Sequence, residues 1–183
     1  GLTSNHALQR VRRLLAAAKG GHAGTLDPLA TGMLPLCFGQ ATKACGPLLG
    51  SRKAYRAELR LGAATATGDA EGEVVDRQPV PPLDAAQVGA VLSRFVGAIA
   101  QVPPMHSALK RDGRPLYELA RRGETVEREP RTVTIERLEL LDLGADRFEF
   151  EVVCSKGTYV RVLGEELARA LGTCGHLGAL RRL

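Results

Sequence analysis

Apolar residues near the start of the chain recur at helical spacing: Ala7, Leu8, Val11, Leu14, Leu15 and Ala18 follow Thr3, Ser4 and Asn5, each able to cap a helix. Arg10, Arg12 and Arg13 fall between them, and Gly20-Gly21 is the expected stop. The next clear pattern has a period of two. Tyr55, Ala57, Leu59 and Leu61 alternate with Ala54, Arg56, Glu58 and Arg60, which predicts a half-buried strand with Tyr55 on its apolar face. A break at Pro79–Pro82 precedes Asp84-Ala85-Ala86-Gln87, a capping arrangement that opens a helix with a buried stripe of Val88, Leu92, Phe95, Val96 and Ile99.

Residues 101–131 lose this regularity. Pro103-Pro104, Gly113, a short helix from Pro115 to Arg122, Gly123 and mixed charges describe a surface excursion. Strands return around Thr132–Leu143 and Phe148–Cys154, where Phe148, Phe150 and Val152 alternate with Glu149 and Glu151. A last helix follows with Val160, Leu163, Leu167 and Leu171 inward. If the strand runs on through the junction, Tyr159 and Arg161 point the same way. Helices and strands mix without regular βαβ alternation, so the expected architecture is α+β.

Composition narrows the class. An apolar fraction of 44% over 183 residues supports one sizeable core and a single domain, residues 1–183. No apolar run approaches the ~18 residues of a membrane span, and no signal-peptide pattern opens the chain, so a cytoplasmic protein with no membrane partner is expected. Cys37, Cys45, Cys154 and Cys174 form no C-x-x-C pair and read as reduced thiols. The net charge of +5 is concentrated early: residues 1–60 hold nine Lys or Arg against two acids. Such a surplus suits a polyanionic partner, although a solvated basic face has the same composition.

The chemistry concentrates in Gly20-Gly21-His22-Ala23-Gly24-Thr25-Leu26-Asp27-Pro28-Leu29-Ala30-Thr31-Gly32, where one carboxylate sits among glycines, hydroxyls and a proline. Pro28 biases Asp27 towards extended backbone. An Asp-Pro turn and an active-site loop both fit. Other chemistries lack their motifs: there is no G-x-x-x-x-G-K-[ST], no G-x-G-x-x-G after a strand, no G-x-S-x-G and no H-E-x-x-H. Cys174 and His176 alone do not make a metal site.

The segment Gly21–Gly32 resembles the catalytic segment of the TruB family of tRNA pseudouridine synthases, and three further segments agree in order and spacing. Lys53-Ala54-Tyr55-Arg56 is similar to the family's tyrosine strand. Ser155-Lys156-Gly157-Thr158-Tyr159-Val160-Arg161 is similar to its tyrosine-arginine motif, and Gly175-His176-Leu177-Gly178-Ala179-Leu180-Arg181-Arg182 to its leucine motif. The likeness is closest to bacterial members. It implies a pseudouridine synthase catalytic fold, a mixed, largely antiparallel sheet flanked by helices and loops. It also implies an insertion at about 105–129 that grips RNA.

The implied activity is isomerisation of uridine to pseudouridine at position 55 in the T loop of tRNA, without cofactor or metal, by a monomer bound to the T arm. The resemblance makes Asp27 the nucleophile, Arg161 its ion-pair partner, Tyr159 and Leu180 contacts to the uracil, and Tyr55 a stacking residue near C5. A carboxylate of ordinary pKa ~3.9 is ionised at neutral pH, as a nucleophile must be. A phenol of ordinary pKa ~10 is a poor base there, which leaves the acceptor of the C5 proton open. His22 takes the place of the residue that fills the gap left by the flipped base. Lys43, Lys110, Arg111, Arg114, Arg121 and Arg122 are candidate phosphate contacts. His106 stands where many relatives have tyrosine.

Relative to the family pattern, the chain opens inside a motif whose preceding strand is absent and stops before a C-terminal RNA-binding domain. Two other readings remain: a guide-dependent synthase of the related archaeal and eukaryotic branch, and a non-catalytic tRNA-binding or folding module.

Overall fold

In a computed structural model, residues 2–111 and 113–183 are described, apart from the side chains of Lys110 and Arg111. Helix α1 (Ser4–Leu14) leads to strands β1 (Gly20–His22), β2 (Thr31–Gly32) and β3 (Leu36–Phe38), a 3₁₀ turn (Gly39–Ala44) and helix α2 (Cys45–Gly50). Strands β4 (Lys53–Leu61), β5 (Ala63–Thr65) and β6 (Val74–Arg77) precede α3 (Ala85–Arg94) and β7 (Gly97–Gln101). The hairpin of β8 (Lys110–Arg111) and β9 (Arg114–Pro115) and helix α4 (Leu116–Ala120) make up the excursion. Then come β10 (Arg131–Leu143), β11 (Arg147–Cys154), α5 (Val160–Ala170) and β12 (Gly175–Arg182).

The architecture is α+β, built on a six-stranded sheet in the order β2-β12-β4-β11-β10-β7. Every pairing is antiparallel except the short contact of β12 with β2. Alternation along β4 and β11 works as expected: Ala57 and Leu59 pair with Phe150 and Phe148, and all four are buried on one face. Helices α3 and α5 cover that face with Val88, Leu92, Leu163 and Leu167. Close approach of α5 requires small residues. A Cβ on Gly164 would lie 2.9 Å from Leu177 Cδ2, and one on Gly175 2.7 Å from the Arg60 carbonyl oxygen. The opposite face is polar and carries exposed ion pairs such as Arg60 with Glu58.

Three local expectations need correction. Helix α1 ends at Leu14, well before Gly20-Gly21; Thr3 caps it, and Ala16 turns left-handed at φ 47°. Gly20 and Gly21 instead enter β1, where the Phe38 ring lies 3.0 Å from where a Gly20 Cβ would be. Of the apolar positions assigned to that helix, Leu8 is buried whereas Leu14 and Leu15 are exposed. Helix α3 has the expected reciprocal cap of Asp84 and Gln87 but stops at Arg94, so Val96 is exposed and Ile99 pairs with Val133 in the sheet. Strand β11 ends at Cys154, so Tyr159 and Arg161 share no strand: Tyr159 caps α5 and Arg161 lies in its first turn.

Candidate active site

The loop between β1 and β2 is pinned from several directions. Ser4 Oγ accepts from the Leu26 amide at 2.8 Å, tying the start of α1 to the residue before Asp27. Within the loop the Ala30 amide donates to the Asp27 carbonyl at 2.9 Å, while Leu29 and Ala30 pack on the core. The sequence suggested a turn or a site, and the structure contains both: the Asp-Pro turn presents the Asp27 carboxylate at the wall of a cleft.

Arg161 meets that carboxylate with a two-pronged contact. Its Nε donates to Asp27 Oδ2 at 2.9 Å and its Nη2 to Oδ1 at 3.1 Å. Nη1 donates to the Thr67 carbonyl at 2.8 Å and Nη2 also to the His106 carbonyl at 2.9 Å. The guanidinium side chain is 5% exposed and Asp27's 35%, so the cation is sealed behind a carboxylate that faces the cleft. A forked ion pair of this kind fixes orientation as well as charge. Asp69 is a second buried carboxylate, with Oδ2 3.7 Å from Arg161 Nε. Thr67 Oγ1 donates to its Oδ1 at 2.6 Å and the Glu71 amide at 3.1 Å, which holds Asp69 in place.

The cleft has a volume of about 230 Å³. Thr25, Asp27, Lys53, Tyr55, Tyr159 and Leu180 are among its lining residues. Burial pushes the Tyr55 phenol above its ordinary pKa, against the charge of the nearby Arg182 guanidinium, which pulls it down. Tyr159 is raised in the same way by burial. Both phenols are therefore protonated at neutral pH. The buried Gln101 amide fixes the backbone at Tyr159, accepting from its N–H at 3.1 Å and donating to its carbonyl at 3.4 Å. Lys53 Nζ donates to the Leu48, Leu49 and Ser51 carbonyls at 2.7 to 3.0 Å, which anchors the end of α2 beside the cleft.

The structure thus brings Asp27, Tyr55, Tyr159, Arg161 and Leu180 together. His22 is set apart: it is half-buried in β1, outside the cleft lining, and its Nδ1 has no hydrogen-bond partner among the described residues. Lys43 on the 3₁₀ turn and Arg114 on β9 are exposed and also lie outside that lining. Arg121 and Arg122 are exposed at the end of α4. The side chains of Lys110 and Arg111 lie outside the described residues. Among the described residues no group of three or more His, Cys, Asp or Glu could hold a metal, and no helix is long and apolar enough to cross a membrane. His176 is packed in the fold, its Nδ1 2.7 Å from the Ala63 carbonyl oxygen.

Asp69, Gln101, Ser107 and Arg182 received no role of their own from sequence reasoning, and Ser4 was expected only as a possible helix cap. Only Asp69 carried a local signal, since Thr65-Ala66-Thr67-Gly68-Asp69 is dense in turn-forming hydroxyls.

This fold is found in chains of solved complexes. A Cbf5-Nop10-Gar1 complex superimposes over the whole chain with a TM-score of 0.76 and 28% identity, covering 45% of its own matched chain. An H/ACA RNP bound to a substrate RNA containing 2'-deoxyuridine matches with a TM-score of 0.72 and 25% identity, covering 43% of its chain. Residues 12–160 match the TruB family pseudouridylate synthase (N terminal domain), and the chain belongs to that family. Among its relatives, the tRNA pseudouridine synthase B of Dechloromonas aromatica (strain RCB) is 60% identical over 183 residues, all of this chain and 61% of that protein. The protein of the same name from Burkholderia lata is 62% identical over 182 residues, again all of this chain and 56% of that protein. The chain therefore spans roughly three fifths of the length of these relatives.

Proposed function

We propose that this chain carries the catalytic site of a tRNA pseudouridine synthase that isomerises uridine 55 in the T loop, with Asp27 as nucleophile on a flipped-out base. The observation that carries the reading is the forked Asp27–Arg161 pair at the wall of a cleft that Tyr55, Tyr159 and Leu180 also line.

Cleaving the N1–C1′ bond leaves an electron pair on the uracil and electron deficiency at C1′, which the Asp27 carboxylate meets. Arg161 holds that carboxylate aimed at the cleft through two charge-assisted hydrogen bonds. The freed uracil, held between Tyr55, Tyr159 and Leu180, turns so that C5 bonds to C1′ as the Asp27 carboxylate leaves C1′ with its electron pair. C5 then gives up its proton and N1 gains one, so the reaction is a net isomerisation that consumes no cofactor. Because burial keeps Tyr55 protonated, its first role is to stack on the base rather than to remove a proton. His22 fills the space that the flipped uridine vacates, and the segment 105–129 grips the T arm through Lys110, Arg111 and Arg114, with Lys43 contacting the backbone elsewhere. The protein acts as a cytoplasmic monomer, and the high identity to bacterial tRNA pseudouridine synthase B supports action on bare tRNA without a guide.

Single-turnover assay of an unmodified tRNA transcript tests this. The parent is expected to form pseudouridine at the T-loop uridine and Asp27→Ala to form none while still binding tRNA. Equal activity in the two would overturn the role of Asp27, and tRNA binding without product in both would leave a binding module.

A further inference from the structure

Two glycines bracket the Asp27 loop, and both abut the same side chain or its backbone. Gly24 has φ +95°, and a Cβ there would lie 3.1 Å from Arg182 Nη1. Gly32 has φ +98°, and a Cβ there would come within 1.9 Å of the Arg182 carbonyl oxygen. Both positions favour glycine on conformation alone, and contact with Arg182 adds to the demand.

Arg182 itself is 4% exposed. Its Nε donates to the Met33 carbonyl at 2.7 Å, and its Nη2 to the Gly24 carbonyl at 3.2 Å. Its own carbonyl accepts from the Met33 amide at 2.9 Å. On β12 it is the cross-strand partner of Tyr55, so the two side chains share a face.

We infer that Arg182 is a positioning residue, which ties both ends of the Asp27 loop to β12 beside Tyr55 and so sets the nucleophile and the stacking tyrosine in one frame. Only a fork suffices. A guanidinium presents several N–H groups in a rigid plane and can reach Gly24 and Met33 together, whereas an ammonium is a single point charge on a flexible stem. No carboxylate accepts from Arg182 among the described residues, and its charge is met by the Met33 and Gly24 carbonyl oxygens. The arrangement differs from that at Arg161, which is paired with Asp27 directly. The guanidinium beside Tyr55 has a second consequence: its charge favours the ionised phenol, opposing the burial that holds Tyr55 protonated.

The inference rests on the proposed pseudouridine synthesis, but its first readout does not require catalysis. Full-length protein labelled with tyrosine carrying 13C at Cζ is titrated to high pH, with the Tyr55 signal identified by its loss in Tyr55→Phe. Arg182→Gln is expected to move the Tyr55 titration to higher pH and to leave that of Tyr159 where it was. Its single-turnover rate is expected to fall about 100-fold with tRNA affinity unchanged, the cost of a small misplacement of reacting groups. Arg182→Lys, which retains the charge, is expected to keep most of the Tyr55 titration without recovering the rate.

The inference is overturned if Arg182→Gln turns over at the parent rate, or if the Tyr55 titration is unmoved by it. Should that variant fail to fold, Arg182→Lys decides, and parent-like turnover in it overturns the requirement for a fork. If the parent forms no pseudouridine, the proposed function fails, while the titration still reports on the charge beside Tyr55.

Discussion

The same face of the same two strands carries two unlike environments. Under α5, Leu59 on β4 and Leu177 on β12 are cross-strand partners and fully buried among Leu163, Leu167 and Phe148. Further along, the pairs are Ala57 with Leu180 and then Tyr55 with Arg182, and the surroundings become Asp27, Arg161 and Lys53. The core is held by burial of apolar area, which has no direction and tolerates a change of shape. The site is held by donors and acceptors that are nearly all engaged, each depending on its partner. Removing a methylene from the first weakens it in proportion, while removing the central cation Arg161 from the second leaves Asp27 and Asp69 without it.

That contrast can be broken most severely at Asp27. Asp27→Ala is expected to abolish pseudouridine formation in a single-turnover assay while shifting the urea midpoint little. Arg161 would still be met by the Thr67 and His106 carbonyls and by Asp69. Arg161→Met should instead damage both properties, because Asp27 and Asp69 would lose the cation between them. Removing one member of a buried ionic set costs about 3–5 kcal/mol, measurable by urea unfolding. Phe150→Ala in the core should cost a similar ~3–5 kcal/mol, yet leave turnover per folded molecule unchanged at low temperature. If it lowered turnover as Arg161→Met does, the two environments would not be separable.

A smaller effect is expected at Glu165 on α5. Burial raises its pKa above the ordinary 4.5, against the pull of Arg169 and Arg161. A raised value means the folded state holds the proton more tightly, so this contribution to stability is present below pH 4.5 and is lost as pH rises through the folded value. Glu165→Gln should therefore raise the unfolding midpoint at pH 7, and its advantage should vanish in acid. Least of all should follow from Arg52→Ala, whose ion pair with Glu136 at 3.2 Å is largely exposed. Its expected change is within about 0.5 kcal/mol, read from the same urea curves.

Much of the framework was legible because it is written in short-range periodicity. The alternation of Tyr55 to Leu61 and Phe148 to Val152 reports burial on one face, and Asp84 with Gln87 announces a helix start. Periodicity failed where tertiary contacts overrode it. Leu14 and Leu15 continue a helical stripe but lie at an exposed end, and Gly20-Gly21, a plausible helix stop, packs as a strand against Phe38. Asp27, Tyr55, Tyr159, Arg161 and Leu180 were identified through motif resemblance, and the structure brings them to one place. His22 came from the same resemblance, but its half-buried ring in β1 is outside the cleft lining.

By itself the sequence determined the membership in a family, the strand and helix faces, and the candidate nucleophile, since these depend on residue type and on spacings of a few positions. Tertiary structure decided which charges meet. Asp27 and Arg161 are 134 positions apart, and Arg182 reaches Gly24 across 158. Asp69 has no short-range pattern that would assign it to the same cation. Such pairings arise only once the sheet order and the packing of α5 bring distant segments within hydrogen-bond range, where a buried charge must find partners.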